Sequence, residues 1–281
     1  NLKDLDVHIP LQRLVCLTGV SGSGKSTLLE SIIHRGLRKR LGEAVEPPGE
    51  HDRIEGAEAI DEVVMVDQSA IGRTTRSNPA SYVGAFDPIR KAFAREPLAR
   101  ERGYTAGTFS FNAGAGRCPA CGGSGFEHVE MQFLSDVYLR CPVCDGQRYR
   151  DTVLDVRMPP AAECDHPPAS IADCLAMTVD EARQFFADQA EILRGLEPLA
   201  AVGLGYIQLG QPVPTLSGGE AQRLKLAGHL ARAGKRRGGH KLFLFDEPTT
   251  GLHFEDIRVL LTALERLLDA GHSVVLIEHN L

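Results

Sequence analysis

Hydrophobic and polar positions along the chain follow two different periods. The run Leu14-Val15-Cys16-Leu17-Thr18 is apolar almost without a break, as in a strand buried on both faces, and after a glycine-rich turn Ser26 to Ile33 carries apolar residues at helical spacing. Val63-Val64-Met65-Val66 predicts a second strand. Lys241 to Phe245, a helical pattern from Glu255 to Leu268, and Ser273 to Ile277 predict a strand–helix–strand unit. Such alternation predicts an α/β fold with a parallel sheet. Between about residue 70 and residue 205 the pattern breaks into a stretch rich in Gly, Pro and Arg, including the proline-rich Met158 to Pro168. We read 71–205 as an insertion between two halves, 1–70 and 206–281, of one α/β core. Inside the insertion a strand is expected near Val153 to Val156, helical periodicity returns from Val179 to Leu199, and Gly203 to Pro214 reads as a loop. Phe126 to Leu139 predicts a β-hairpin turning at Leu134-Ser135-Asp136.

Length and composition narrow the class. With 281 residues, 43% of them apolar and 24% charged, the chain is globular and long enough for one large domain or two smaller ones. Its net charge of -6 gives no global basic field, although a local basic patch survives such averaging. The longest apolar runs fall far short of the roughly 20 residues of a membrane helix. Asn1 to Pro10 carries Lys3, Asp4 and Asp6 in place of a signal-peptide core, so a cytoplasmic protein with no membrane partner is expected. Four of the seven cysteines form two Cys-x-x-Cys pairs, which fits a reducing compartment. The start without Met and the stop at Leu281, just after an apolar run, read as a piece of a longer chain.

Gly19-Val20-Ser21-Gly22-Ser23-Gly24-Lys25-Ser26 fits the phosphate-binding pattern G-x-x-x-x-G-K-[ST], between a predicted strand and helix as that motif requires. Glycines let backbone N–H groups close round phosphate oxygens, Lys25 reaches the β/γ-phosphates, and the Ser26 hydroxyl can coordinate Mg²⁺. Gly19, Ser21, Gly22, Gly24, Lys25, Ser26 and Thr27 are therefore candidate ATP/ADP-binding residues. Leu242 to Phe245 is an apolar strand ending in Asp246 and Glu247, which puts Asp246 at the carboxyl end of a parallel strand. Asp246 is the second candidate Mg²⁺ group, and Glu247 the candidate base for a water attacking the γ-phosphate. Leu216-Ser217-Gly218-Gly219-Glu220 reads on its own as a helix cap, with Glu220 three residues after Ser217.

Cys118-Pro119-Ala120-Cys121 and Cys141-Pro142-Val143-Cys144 give C-x₂-C-x₁₉-C-x₂-C, the spacing of a closed, structural four-thiolate Zn²⁺ site. Cys16, Cys164 and Cys174 have no partner spacing. Upstream, Arg73, Arg76, Arg90, Lys91, Arg95, Arg100, Arg102 and Arg117 interleave with Tyr82, Phe86, Tyr104, Phe109 and Phe111. Taken alone, the stretch reads as a mixed solvated surface as readily as a nucleic-acid patch.

In combination these motifs resemble the ATP-binding-cassette (ABC) ATPases. Ser217, Gly218 and Gly219 look like the signature motif, whose helix N-terminus faces a γ-phosphate bound by an opposing domain. Gln68 is similar to the Q-loop glutamine, which implies a catalytic role and a place with Ser26 and Asp246 among the Mg²⁺ ligands, and His279 to the switch histidine, implied as a catalytic residue beside Glu247. A four-cysteine module between the Q-loop and the signature is foreign to transporter domains. Gln68 to Pro79, Arg117 to Cys121 and Asp246-Glu247-Pro248-Thr249-Thr250-Gly251-Leu252-His253 instead resemble the second nucleotide-binding half of the UvrA family of bacterial nucleotide excision repair. That resemblance implies an ABC-type P-loop NTPase domain with an inserted signature and zinc-binding domain. It also implies slow ATP hydrolysis with Mg²⁺, homodimerisation, binding of damaged double-stranded DNA, and handover to a UvrB-type helicase. The protein would be part of the excinuclease system without being its nuclease.

Two stretches depart from the family pattern. Pro159 to Ser170 is unusually rich in Pro and Ala, which would fit a divergent paralogue, and Gly125-Phe126-Glu127-His128-Val129-Glu130 is acidic where a phosphate-binding hairpin would be basic. An alternative reading is an ABC-type ATPase whose zinc module binds protein as an adaptor, because Cys118 to Gly125 looks like one DnaJ-type C-x-x-C-x-G-x-G repeat. Cys141 to Arg148 lacks the last glycine of that repeat. A transport ATPase is a third reading, without a membrane signal in this sequence.

Overall fold

A computed structural model describes residues 2–69, 71, 76–129, 137–233 and 239–279. The chain divides into two compact units, one of residues 1–69 with 218–281 and the other of residues 70–217. Segment 206–217, expected with the α/β core, groups with the insertion. Its backbone explains why: Leu209 N–H donates to Met177 O at 2.9 Å, Gly210 N–H to Leu175 O at 2.7 Å and Val213 N–H to Ser77 O at 2.8 Å.

The first unit is built on a four-stranded parallel sheet of β1 (Leu14–Leu17), β2 (Glu62–Val66), β5 (Lys241–Asp246) and β6 (Ser273–Ile277), in the order β1-β6-β5-β2. The apolar runs of β5 and β6 become strands because both sheet faces are covered there, so residues of either parity are buried, whereas β1, expected to be buried on both faces, is an edge strand with Leu14 and Cys16 exposed. Val63, Leu242, Leu244, Val275 and Ile277 pack with Leu29, Ile33 and Leu37 from the helical stretch behind the phosphate loop. That stretch is π-wound over Thr27–His34 and α-helical over Arg35–Arg40. Phe243, Phe245, Val274 and Leu276, of the other parity, are buried as well. Two long helices complete the unit, Gly218–Ala233 and Phe254–Asp269. Because all four strands run parallel, their carboxyl ends open at one edge, where α/β sheets bind ligands.

The second unit is mostly helical, with a hairpin of β3 (Phe126–Val129) and β4 (Val137–Arg140) paired antiparallel. The expected hairpin turn at Leu134-Ser135-Asp136 lies outside the described residues, as does Arg73. Phe86 and Phe111 lie 4.8 Å apart, Phe93 and Phe109 5.6 Å apart, and the Tyr149 hydroxyl donates to Phe109 O at 2.9 Å. The interleaved aromatics Phe86, Phe109 and Phe111 are thus core. Val153 to Val156 is not a strand: Asp151–Leu154 is a helical turn, and Val153 and Val156 are buried together at i, i+3. The helical pattern from Val179 to Leu199 resolves into two helices, Val179–Phe185 and Ala190–Ala201. Capping boxes start two helices, with Ser170 and Asp173 at one and Thr178 and Glu181 at the other. No helix among the described residues is long and apolar enough to cross a membrane.

Candidate active site and metal centre

β1 ends at Leu17, and the chain turns through Gly19, Gly22 and Gly24 at φ of 150°, 76° and 100°. These are left-handed conformations that side chains resist, which is the local reason for the glycines. The Lys25 ammonium folds over the loop and donates to Gly19 O at 2.8 Å and Val20 O at 3.0 Å. Ser21, Ser26 and Thr27 are exposed, and the Ser26 hydroxyl does not cap the helix behind it, so it is available to another partner.

Asp246 closes β5 opposite Ile277 of β6. Its Oδ1 is buried and has no hydrogen-bond partner among the described residues. Burial first, then the neighbouring Glu247 and Glu30 charges, push its carboxyl above the usual range. An orphaned carboxylate oxygen among other acids is what a divalent cation relieves, so the donor set fits Mg²⁺. Glu247 follows with φ 47°, an uncommon backbone for a residue with a side chain, held by its N–H bond to Ile277 O at 3.1 Å. Its Oε1 lies 2.8 Å from Nε2 of His279, two residues beyond the end of β6. The Thr250 hydroxyl donates to the other oxygen, Oε2, at 3.3 Å.

Gln68 follows β2 and is exposed, lying beside Gly218, where an added Cβ would come within 3.1 Å of its Oε1. Ser217 directly precedes the helix that begins at Gly218. A Cβ on Gly219 would meet nothing within 4 Å among the described residues, so packing in this unit does not require that glycine.

Two residues of the same helix, neither singled out from the sequence, brace this edge. Buried Gln222 donates through Nε2 to Val66 O at 2.8 Å and Asp246 O at 3.3 Å, tying the ends of β2 and β5 together. Lys225 donates to Asp67 O at 3.1 Å, to Ser69 Oγ at 2.7 Å and to the Asp67 carboxylate. Burial would raise the Asp67 carboxyl, but its bonds from Lys225 and Ser69 outweigh that and hold it below the usual range. The one signal in the sequence is spacing, since Gln222 and Lys225 stand at i, i+3 on a single helix face.

In the second unit the Sγ atoms of Cys118, Cys121, Cys141 and Cys144 all lie within 4.8 Å of one another. Cys121 and Cys144 are separated by 3.7 Å, close to the edge of about 3.8 Å of a tetrahedron with Zn–S bonds of about 2.3 Å. Three of the four cysteines are buried. Burial opposes ionisation of Cys121, yet the N–H groups of Gly125 and Gly123 and the adjacent thiols bring it down to about 7, while burial holds Cys144 up. The donor set and its spacing fit zinc. Among the basic residues, Arg76 donates to Gly122 O, Arg90 to Ala106 O, Arg102 to Thr152 O and Arg117 to Asn112 O, so these arginines tie the unit together. Lys91, Arg95 and Arg100 are exposed.

No family model matches the chain. UvrABC system protein A of Methanothermobacter thermautotrophicus is 54% identical over 281 residues, all of this chain and 28% of that protein. The protein of the same name from Thermus thermophilus is 53% identical over 281 residues, again 28% of its length. The crystal structure of UvrA2 from Deinococcus radiodurans aligns with a TM-score of 0.81 at 49% identity, covering 99% of this chain and 32% of that one. The chain thus spans less than a third of the length of these relatives. The resemblance carried by its motifs is borne out along the entire sequence, and the chain is UvrA-like from end to end.

Proposed function

We propose that this chain is the nucleotide-hydrolysing and zinc-bearing part of a cytoplasmic UvrA-type ATPase that recognises damaged double-stranded DNA in nucleotide excision repair. The observation that carries the ATPase reading is the Glu247–His279 pair, 2.8 Å apart, at the same sheet edge as the orphaned Asp246 carboxylate and the phosphate loop. Backbone N–H groups of the loop from Gly19 to Ser26 would close round phosphate oxygens, with Lys25 leaving the Gly19 and Val20 carbonyls to meet the β/γ-phosphates. Ser26 and Asp246 would hold Mg²⁺, and Gln68 would stand near it. Bound there, Mg²⁺ supplies charge neutralisation at the phosphate oxygens. Glu247 would take the proton from the attacking water while His279 orients that carboxylate. Ser217, Gly218 and Gly219 form the complementary half-site, which a homodimer or the rest of the full-length protein would present to a second ATP.

Damage recognition and handover to a UvrB-type helicase rest on the resemblance to UvrABC system protein A. Exposed Lys91, Arg95 and Arg100 are placed for phosphate contacts, since Arg76, Arg90, Arg102 and Arg117 are engaged with backbone carbonyls. The test is binding of the zinc-loaded chain, with ATP, to duplexes with and without one bulky adduct at fixed salt. Preference for the adduct supports lesion sensing within this chain. Equal, salt-sensitive binding would limit it to backbone affinity, and no DNA binding would favour the protein-binding adaptor.

A further inference from the structure

Arg148 stands four residues beyond the second knuckle with 3% of its surface exposed and its backbone at φ 73°. A buried guanidinium and a left-handed non-glycine residue both cost stability, so their surroundings must hold them in place. The Arg148 N–H bonds Cys144, and its carbonyl accepts from Cys118 N–H at 2.8 Å, so the backbone of this residue grips one cysteine of each knuckle. Its side chain lies over Phe111, 4.9 Å from the ring centroid, and Nη2 donates to Gly210 O at 2.8 Å. Nη1 is buried without a hydrogen-bond partner among the described residues. Gly125 makes room, because a Cβ there would press on the Arg148 side chain and on Gly146 O.

A buried guanidinium with one nitrogen left unpartnered has an electrostatic explanation. Four thiolates round one Zn²⁺ leave a net charge of about −2, and three of the cysteines are buried. A nearby fixed positive charge offsets part of the cost of burying that charge, as groups outside the ligand set of a metal commonly do. The same guanidinium holds the carbonyl of Gly210, in the strap of residues 207–216 that runs to Ser217. We propose that Arg148 is the counter-charge of the zinc centre and ties its occupancy to the order of this strap. The inference rests on the zinc reading of the four cysteines but on neither ATP hydrolysis nor DNA binding. Without the metal the two knuckles are no longer clamped together, the backbone of Arg148 loses the fixed positions of Cys118 and Cys144 that it grips, and the hold of its side chain on Gly210 O weakens.

The test uses the whole chain with Arg148→Met and Arg148→Lys, reading zinc loss to a chromogenic chelator and amide exchange of residues 207–216 with and without zinc. Arg148→Met should lose zinc about 10- to 100-fold more readily, the range found for residues that support metal ligands, whereas Arg148→Lys should stay much closer to the parent. Strap exchange should rise on zinc removal in the parent and already be high and zinc-insensitive in Arg148→Met. Parent-like exchange in the helix Ala190–Ala201 identifies a folded variant. The proposal is overturned if Arg148→Met keeps zinc like the parent, if Arg148→Lys loses it equally, or if the Arg148→Met strap still responds to zinc. A parent chain that takes up no zinc removes the metal reading and this proposal together, whereas a zinc-binding parent with unaffected variants removes only the proposal.

Discussion

Glu247 Oε1 and His279 Nε2 lie 2.8 Å apart, and their backbones are joined through the same strand end, because Glu247 N–H donates to Ile277 O two residues before His279. The carboxylate is thus positioned from both its backbone and its side chain. A group held in this way is suited to accept a proton rather than to coordinate a metal, a role left to Asp246.

Glu247→Gln should therefore keep nucleotide binding and lose hydrolysis by about 10²- to 10⁴-fold, the usual contribution of a general base. His279→Ala should lose less, because it removes the orienting partner and leaves the base. Turnover measured beside equilibrium ATP binding checks both, and unchanged turnover in Glu247→Gln would overturn the assignment of the base.

Lys225 is the cation that anchors Asp67 and Ser69 on either side of Gln68. Lys225→Met should destabilise the chain by about 1 kcal/mol, at the low end for a lost charge-assisted bond, since Asp67 is partly exposed and solvent replaces some of it. Because the Asp67 carboxyl is held below its ordinary value, this stability is complete above a pH of about 4. It drains as the pH falls through the lower folded-state value. Thermal melts of parent and variant should differ at pH 7 and converge in acid. Lys225→Met should also lower kcat more than it raises KM if the anchored Gln68 acts in the chemical step.

Much of the first unit could be read directly from the sequence, and the reason is physical. Strands buried on both faces announce themselves as apolar runs, and a phosphate loop needs glycines where φ is positive. Within 71–205 the signal was weaker. Val153 and Val156 are β-branched and four positions inclusive, too few to separate a strand from a helical turn, and only their burial at i, i+3 decides between them. Ser170 with Asp173 and Thr178 with Glu181 did carry the capping-box spacing. Beyond the i, i+3 spacing of Gln222 and Lys225, nothing picked out these two or Arg148, because each acts on a backbone carbonyl remote in sequence: Val66, Asp67 and Gly210 respectively. A carbonyl has no residue identity, so no pattern of side chains marks it.

His229 lies edge-on to Phe243 at 5.4 Å, and Phe243 in turn lies 5.6 Å from His272. Burial, then the Arg232 and Lys241 charges, hold His229 down at about 4, with Glu62 opposing, and His272 is lowered for the same first reason. Both histidines are neutral when folded and protonate more readily when unfolded, so their contribution is intact above a pH of about 6.5. It is lost as the pH falls from there towards the folded value. Urea titrations from pH 7.5 to 4.5 should show stability falling with acidity, and His229→Gln should flatten that slope by up to one proton.

Removing one zinc ligand should separate the two units' fates. Each Cys-x-x-Cys knuckle contributes two of four thiols, and a two-stranded hairpin such as β3–β4 is marginal in water without something to hold its base. Cys141→Ala removes only the thiol and keeps the backbone N–H that donates to Gly125 O at 3.0 Å, so the bond at the hairpin base can form but the metal clamp is lost. Amide exchange should rise over residues 118–148, while Phe86, Phe93 and Phe109 keep the helical part of the unit packed. Nucleotide binding should survive, because the phosphate loop, Asp246, Glu247 and His279 all belong to the other unit. Loss of ATP binding together with hairpin order would show instead that the zinc module is needed to fold the ATPase core.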